Sequence, residues 1–506
     1  MRADPDTVAV VRRRSPTLLV LAALLALTTA CAKQADGALG DEGASGGTDG
    51  EAGDPGSDDP ASEAGDGTGT LDWSDCGGGD ECAELEVPLD WDDPEGDTLP
   101  ISILRVPASG DRIGALFVNP GGPGGTATDF ASSMAMVLPD DVTERFDIVG
   151  VDPRGLGASA IDCGGDMEQL YGVDYSIDSP EDTTALLDVS QTYIDGCEAN
   201  GGDLLAYLST EDVARDIDAV RQAMGDEQLN YLGYSYGSAI GQVLADLFPE
   251  RVRAMIIDGI VDLGPTGVET AVDQAAGFET ALQSYAADCN ADPSCPIGPD
   301  AIGAIEQLQD EVEQAPIPGE TGELGPGQLS TALAMPLYSE TLWPDLSDAV
   351  ADALAGDGTA MLDLEQQYLG VSDFDVYFAV NCLDWEWPED PQELLDAGAA
   401  AAAESPHFAE PIVNDYVRCA MWPVEEDPIE AVTAPDAPPI LVVSTTNDPA
   451  TPYEAGVRTA ERLESGVLLT YEGDGHTVVG SGVACVDDIA SAYLVDLEVP
   501  EDGTTC

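Results

Sequence analysis

Between residues 210 and 260 the chain changes its apolar period from helix to strand to helix and back to strand, and this restricts the fold more than any other feature. Val213, Ile217, Val220 and Met224 recur at helical spacing within Thr210 to Met224. Leu229 to Leu232 then reads as a strand, Ala239 to Phe248 as a helix and Ala254 to Ile260 as a second strand. Strands that alternate with helices imply a parallel, doubly wound sheet. Two short apolar runs upstream, Ile113 to Val118 and Phe146 to Val151, extend the same sheet, and Ala83 to Leu89 with Leu99 to Val106 read as a leading hairpin.

Strand rhythm lapses from about Gly264 to Pro435, where the signals are mostly helical, and it resumes at Pro439 to Ser444 and Val467 to Tyr471. Helices inserted between two halves of one sheet read as a cap. The expected organisation is a core over 71–263 and 436–506 with a helical cap over 264–435.

The first 70 residues read differently. Arg12, Arg13 and Arg14 precede an apolar run from Leu18 to Leu27 and small residues ending at Cys31. The run is too short to span a bilayer and has the layout of a secretory signal over 1–31. Leu27-Thr28-Thr29-Ala30-Cys31 resembles a bacterial lipobox, with Thr28 where a branched aliphatic residue is commoner. Residues 32–70 are Gly, Asp, Glu, Ala and Ser with almost no large apolar side chain, the composition of a disordered acidic tether. The chain is therefore expected to be exported, either secreted or held at the cell surface, with membrane contact only through a lipid on Cys31.

Charge narrows the partners. Sixteen Lys and Arg against 98 Asp and Glu give a net charge of −82, which repels nucleic acid. High-salt adaptation and biased genome composition both remain open as causes. Eleven cysteines leave ten once Cys31 is set aside, an even number that in an exported chain suggests disulfides. Chain neighbours offer Cys76 with Cys82, Cys163 with Cys197, Cys289 with Cys295, Cys382 with Cys419, and Cys485 with Cys506. With no C-x-x-C pair and two histidines, no metal or other cofactor is expected.

Gly233-Tyr234-Ser235-Tyr236-Gly237 is a G-x-S-x-G pentapeptide, a weak signal alone in a chain with 55 glycines. Its position between a strand and a helix is the context a nucleophile elbow needs, so Ser235 is the candidate nucleophile. A serine alcohol needs a base. His476 follows the last strand and is the candidate, whereas His407, after a proline in the cap, reads as a surface residue. Asp448 follows the strand Ile440 to Ser444 and would fix the histidine tautomer. The order Ser235, Asp448, His476 is that of the α/β-hydrolase fold. The amides of Gly122, in Asn119-Pro120-Gly121-Gly122-Pro123-Gly124-Gly125, and of Tyr236 are the candidate oxyanion hole.

These motifs, with Asp152-Pro153-Arg154-Gly155, Asp448-Pro449 and Gly475-His476 through Cys485 to Cys506, resemble the secreted tripeptidyl aminopeptidases of actinobacteria, relatives of prolyl aminopeptidase, from about Trp73 onward. Thr126 and Ala127 after the glycine loop, and Thr477 after the histidine, depart from that pattern. The resemblance implies release of short peptides, often tripeptides, from free N-termini. An enzyme of that kind must recognise a protonated amine. Asp384 and Glu386, in a segment that looks like the family's cap, are the candidates for it. A carboxylesterase of the same fold is the alternative enzyme, and a catalytically silent surface-binding lipoprotein is the alternative from another class.

Overall fold

In the computed structural model, residues 71–177 and 179–506 are described. The signal-like segment, Cys31 and the acidic tether lie outside these residues. A ten-stranded sheet runs in the order β1 (Ser74–Gly77), β2 (Asp80–Pro88), β3 (Thr98–Val106), β5 (Phe146–Val151), β4 (Gly114–Asn119), β6 (Leu229–Tyr234), β7 (Val252–Asp258), β10 (Ile440–Asn447), β11 (Gly466–Asp474) and β12 (Thr504–Thr505). The strands from β5 to β12 are parallel, while β1 to β3 extend one edge in antiparallel pairing.

The two parts of the sheet differ because their sequences do. Every residue of β4 and β5 is buried, as continuous apolar runs must be when helices cover both faces. β2 instead alternates buried Ala83, Leu85 and Val87 with exposed Glu84 and Glu86, so that one face meets water. Helix Thr210–Met224 begins where the Ser209 side chain accepts the Asp212 amide and ends on left-handed Gly225.

Between β7 and β10 the regular elements are helices apart from a two-stranded hairpin of β8 (Ile317–Pro318) and β9 (Glu323–Leu324). Helices Gly267–Ala291, Ala301–Gln314, Trp343–Leu354 and Thr359–Leu369 contribute to a hydrophobic cluster of their own around Tyr285, Leu308 and Leu346. Phe374, Phe378, Trp385 and Trp422 instead belong to the same buried cluster as strand residues Phe117, Tyr231 and Val442. This second part of the helical segment is thus tied to the sheet core.

The structure joins all ten cysteines among the described residues as five disulfides: Cys76–Cys82, Cys163–Cys197, Cys289–Cys295, Cys382–Cys419 and Cys485–Cys506. The last ties the C-terminal residue to the helix Ala484–Asp496. No helix among the described residues is long and apolar enough to cross a membrane.

Candidate active site

Register brings the chemistry to one edge. Asn119 at the end of β4 pairs with Gly233 of β6, Tyr234 pairs with Asp258 of β7, Asp258 with Val443 of β10, and Asn447 with Asp474 of β11. The glycine loop, Ser235, Asp448 and His476 all follow these carboxyl ends, where ligands bind in open parallel sheets.

Ser235 sits at φ 54° and ψ −123°, a strained conformation for a residue with a Cβ, between β6 and the helix Tyr236–Leu247. The turn closes only because of its glycines: a Cβ on Gly233 would lie 2.2 Å from the Gly237 carbonyl oxygen. Gly121, at φ +92°, lets the neighbouring loop touch the same turn, since a Cβ there would meet the Tyr234 carbonyl at 2.5 Å. The Ser235 amide donates to the Asp258 carbonyl at 2.9 Å, which pins the elbow to β7.

His476 Nδ1 lies 2.8 and 2.9 Å from the two Asp448 carboxylate oxygens. With the proton on Nδ1, Nε2 is the basic nitrogen. Nε2 is buried and has no hydrogen-bond partner among the described residues. Burial disfavours the imidazolium, but the charge and hydrogen bond of Asp448 outweigh it, with a contribution from Asp258, and the His476 pKa rises above the ordinary 6.5. Asp448 is itself held: its Oδ1 accepts the amides of Ala450 and Thr451, and its Oδ2 the Thr451 hydroxyl at 3.1 Å.

Ser235, Gly122 and Tyr236 line a cleft together with Asp262, Trp385 and Arg458. The glycine loop is anchored to the helical segment, where the Asp373 amide donates to the Gly124 carbonyl at 2.9 Å. Asp262 is committed to Arg458 and Arg462 at 2.6 and 2.5 Å. No group of three or more His, Cys, Asp or Glu among the described residues is arranged to hold a metal ion.

Asp384 and Glu386 stand elsewhere than the amine-binding reading requires. The Asp384 carboxyl, 1% exposed, accepts the Thr210 amide at 3.1 and 3.2 Å and the Thr210 hydroxyl at 2.5 Å. Burial pushes its pKa up to about 8. Thr210 Oγ1 in turn lies 2.7 Å from the Tyr236 hydroxyl, so this acid reaches the site only through two other side chains. Glu386 is exposed, and its contact with the helical segment is through its backbone carbonyl. Neither carboxylate lines the cleft, because Thr210 encloses the first and the second turns to solvent. His407 also differs from expectation. It is 6% exposed, with Nδ1 3.1 Å from both carboxylate oxygens of Glu279.

Two supporting residues escaped the sequence reading. Thr451 had a signal, since Asp-Pro-x-Thr is a turn whose acid can accept the amide three residues on. Asp258 had none. Its buried carboxylate accepts the Val478 and Val479 amides at 2.8 Å each, and burial pushes its pKa up to about 7. One residue therefore steadies the elbow by its carbonyl and the histidine loop by its carboxylate.

A sheet of this strand order, with the elbow serine, the acid and the histidine following one another along the chain at its carboxyl edge, is the α/β-hydrolase arrangement. The molecule is a serine hydrolase. Comparison with known proteins makes this specific. The family described as TAP-like protein matches residues 405–506. The serine protease Hip1 of Mycobacterium tuberculosis is 38% identical over 459 residues, covering 85% of this chain and 88% of that protein. Carboxylesterase B of the same organism is 38% identical over 454 residues, covering 84% and 86%. The tripeptidyl aminopeptidase of Streptomyces lividans is 29% identical over 466 residues, covering 86% of each. The chain belongs to this TAP-like family of α/β-hydrolases.

Proposed function

We propose that the chain is an exported exopeptidase that releases short peptides, tripeptides among them, from free N-termini through an acyl-enzyme on Ser235. The observation that carries the reading is the His476 ring, held at Nδ1 by both oxygens of Asp448 while its buried Nε2 is left without a partner at the edge where the elbow presents Ser235. In the first step His476 Nε2 takes the Ser235 proton as Oγ attacks the scissile carbonyl carbon. The resulting oxyanion is met by the amides of Gly122 and Tyr236. The C–N bond then breaks and His476 returns the proton to the leaving amine. Water, deprotonated by the same nitrogen, cleaves the ester and frees the peptide.

Peptide substrates are supported by the names of Hip1 and the Streptomyces tripeptidyl aminopeptidase. Export is supported by five disulfides, which persist in oxidising compartments. The likeness to carboxylesterase B keeps an esterase as the second reading. Kinetics on free and Nα-acetylated tripeptide amides, beside simple esters, decide between them. Preference for free peptides supports the exopeptidase; good turnover of esters with none of peptides discards it and leaves the serine hydrolase standing.

A further inference from the structure

A second pocket adjoins the cleft and shares Gln274, Tyr377 and Tyr416 with it. Its wall carries Tyr171, Tyr175 and Tyr368 beside those two tyrosines, and one charged group, Asp415. No Lys, Arg or His lines it. Burial raises the pKa of all five tyrosines, so each keeps its proton and offers a neutral hydroxyl oxygen and a ring face.

The carboxylate of Asp415 is only half used. Oδ1 is taken by Arg418, which is buried completely behind the wall and also donates to the Tyr175 hydroxyl at 2.6 Å. Oδ2 accepts from the Tyr171 hydroxyl at 3.4 Å, the outer limit of a hydrogen bond, and the Tyr175 hydroxyl also bears on the carboxylate. The pocket is thus rich in acceptors and π faces, with a carboxylate oxygen met only by neutral hydroxyls. A ligand that suits it is a small cation with several N–H groups, an alkylammonium, which can bind the carboxylate, the hydroxyls and the ring faces together.

We infer that this cavity receives the amino-terminal residue of the peptide whose acyl carbon lies at Ser235, with the α-ammonium on Asp415 Oδ2. The inference rests on the exopeptidase reading and gives it the amine site that Asp384 and Glu386 do not supply. It also explains selection of an end rather than a middle, since an uncharged internal amide offers Asp415 a single neutral N–H in place of a charged group with three.

The test uses the full chain and two substrates, Ala-Ala-Ala-p-nitroanilide and its Nα-acetyl derivative. The wild type should favour the free peptide at least about tenfold in kcat/KM, the loss expected for one charge-assisted hydrogen bond. Asp415→Asn should bring the ratio of free to acetylated close to one. That variant also unpairs Arg418, so Ala334→Phe is the companion: it fills the cavity from another helix and leaves the ion pair in place. It should cut kcat/KM for the free peptide about tenfold, and it decides alone where Asp415→Asn does not fold. A wild type indifferent to acetylation defeats the exopeptidase reading itself. A wild type that prefers free peptides, with variants that keep both the ratio and the rate, overturns only the assignment of this cavity. Rescue of the acetylated peptide by a lysine at its first position overturns the α-ammonium in favour of a side-chain amine.

Discussion

The molecule contains two histidine–carboxylate pairs, and they are nearly alike at the contact itself. His476 Nδ1 faces both oxygens of Asp448 at 2.8 and 2.9 Å, and His407 Nδ1 faces both oxygens of Glu279 at 3.1 Å. Both side chains are at most 10% exposed. What differs is the surroundings. His476 leaves a buried nitrogen unpartnered in the loop after β11, at the carboxyl edge of the sheet that also carries the strained Ser235. His407 lies next to Phe408 of the helical cluster, and its partner is also bound by the His407 amide and by Gln283. A carboxylate on a histidine is thus no mark of catalysis by itself; the other nitrogen and what lies near it decide.

Removal of either member of the first pair's machinery gives the largest expected effect. Ser235→Ala should abolish turnover and labelling by a fluorophosphonate, a fall of about 10⁴-fold or more, and His476→Ala should match it because such residues act as a unit. Asp448→Asn should cost about 10⁴-fold by favouring the wrong tautomer. Equal labelling of wild type and Ser235→Ala would move the nucleophile elsewhere and dissolve the contrast between the two histidines.

For the second pair the loss should appear in stability instead. His407→Ala leaves Glu279 in the helical cluster without its main partner, at a cost of about 2–3 kcal/mol. Burial raises the Glu279 pKa and His407 more than reverses this, so the net value is lowered. The contribution is therefore present above the ordinary glutamate range and is lost as pH falls through the folded pKa. Denaturant melts at pH 7 should show the loss while kcat/KM stays within about twofold of wild type; a collapse of kcat with unchanged melting would make the pairs functionally equivalent.

The first pair also carries a pH signature. A base whose pKa is raised stays protonated to higher pH, so the acidic limb of kcat/KM should have its midpoint above 6.5. Asp448→Asn should move that midpoint down, since it removes the charge responsible for the rise. A limb at or below 6.5 in the wild type would mean that burial, not Asp448, dominates at His476.

The sheet was legible because its information is local. Continuous apolar runs such as Phe146 to Val151, closed by Asp-Pro or Asn-Pro turns, mark strands buried on both faces, and a serine between strand and helix announces the elbow. The nearness of Asp448 to His476 follows from the ends of two adjacent parallel strands. Partners chosen by tertiary packing were not legible. His407 finds Glu279 across 128 residues, and Asp384 finds Thr210 across 174. In a chain with 98 acids, no pattern along the sequence tells a buried carboxylate from a solvated one. Asp415 was missed for the same reason: only the folded wall of tyrosines distinguishes it.

The smallest expected effect concerns Asp384, the acid that lies near the site without touching the cleft. Tyr236 has two attachments: its amide is a proposed oxyanion donor, and its hydroxyl ends the buried chain through Thr210 to Asp384, with all three residues at most 2% exposed. Tyr236→Phe keeps the ring and the amide and deletes one neutral hydrogen bond, worth about 0.5–1.5 kcal/mol. Complete loss of an oxyanion donor costs about 10²–10³-fold, so a donor that is only less firmly held should lose a few-fold in kcat. KM should hardly change, since the donor acts on charge that develops in the transition state. Thr210→Val breaks the same chain one step earlier and should give a similar kcat. If the strut acts as one unit, Asp384→Asn should lower kcat in the wild type but little further in a Tyr236→Phe background, and the double-mutant cycle measures that coupling. Loss of melting temperature in all three variants with kcat unmoved would reduce Asp384 to a structural acid of the helical segment, with the same standing as Glu279.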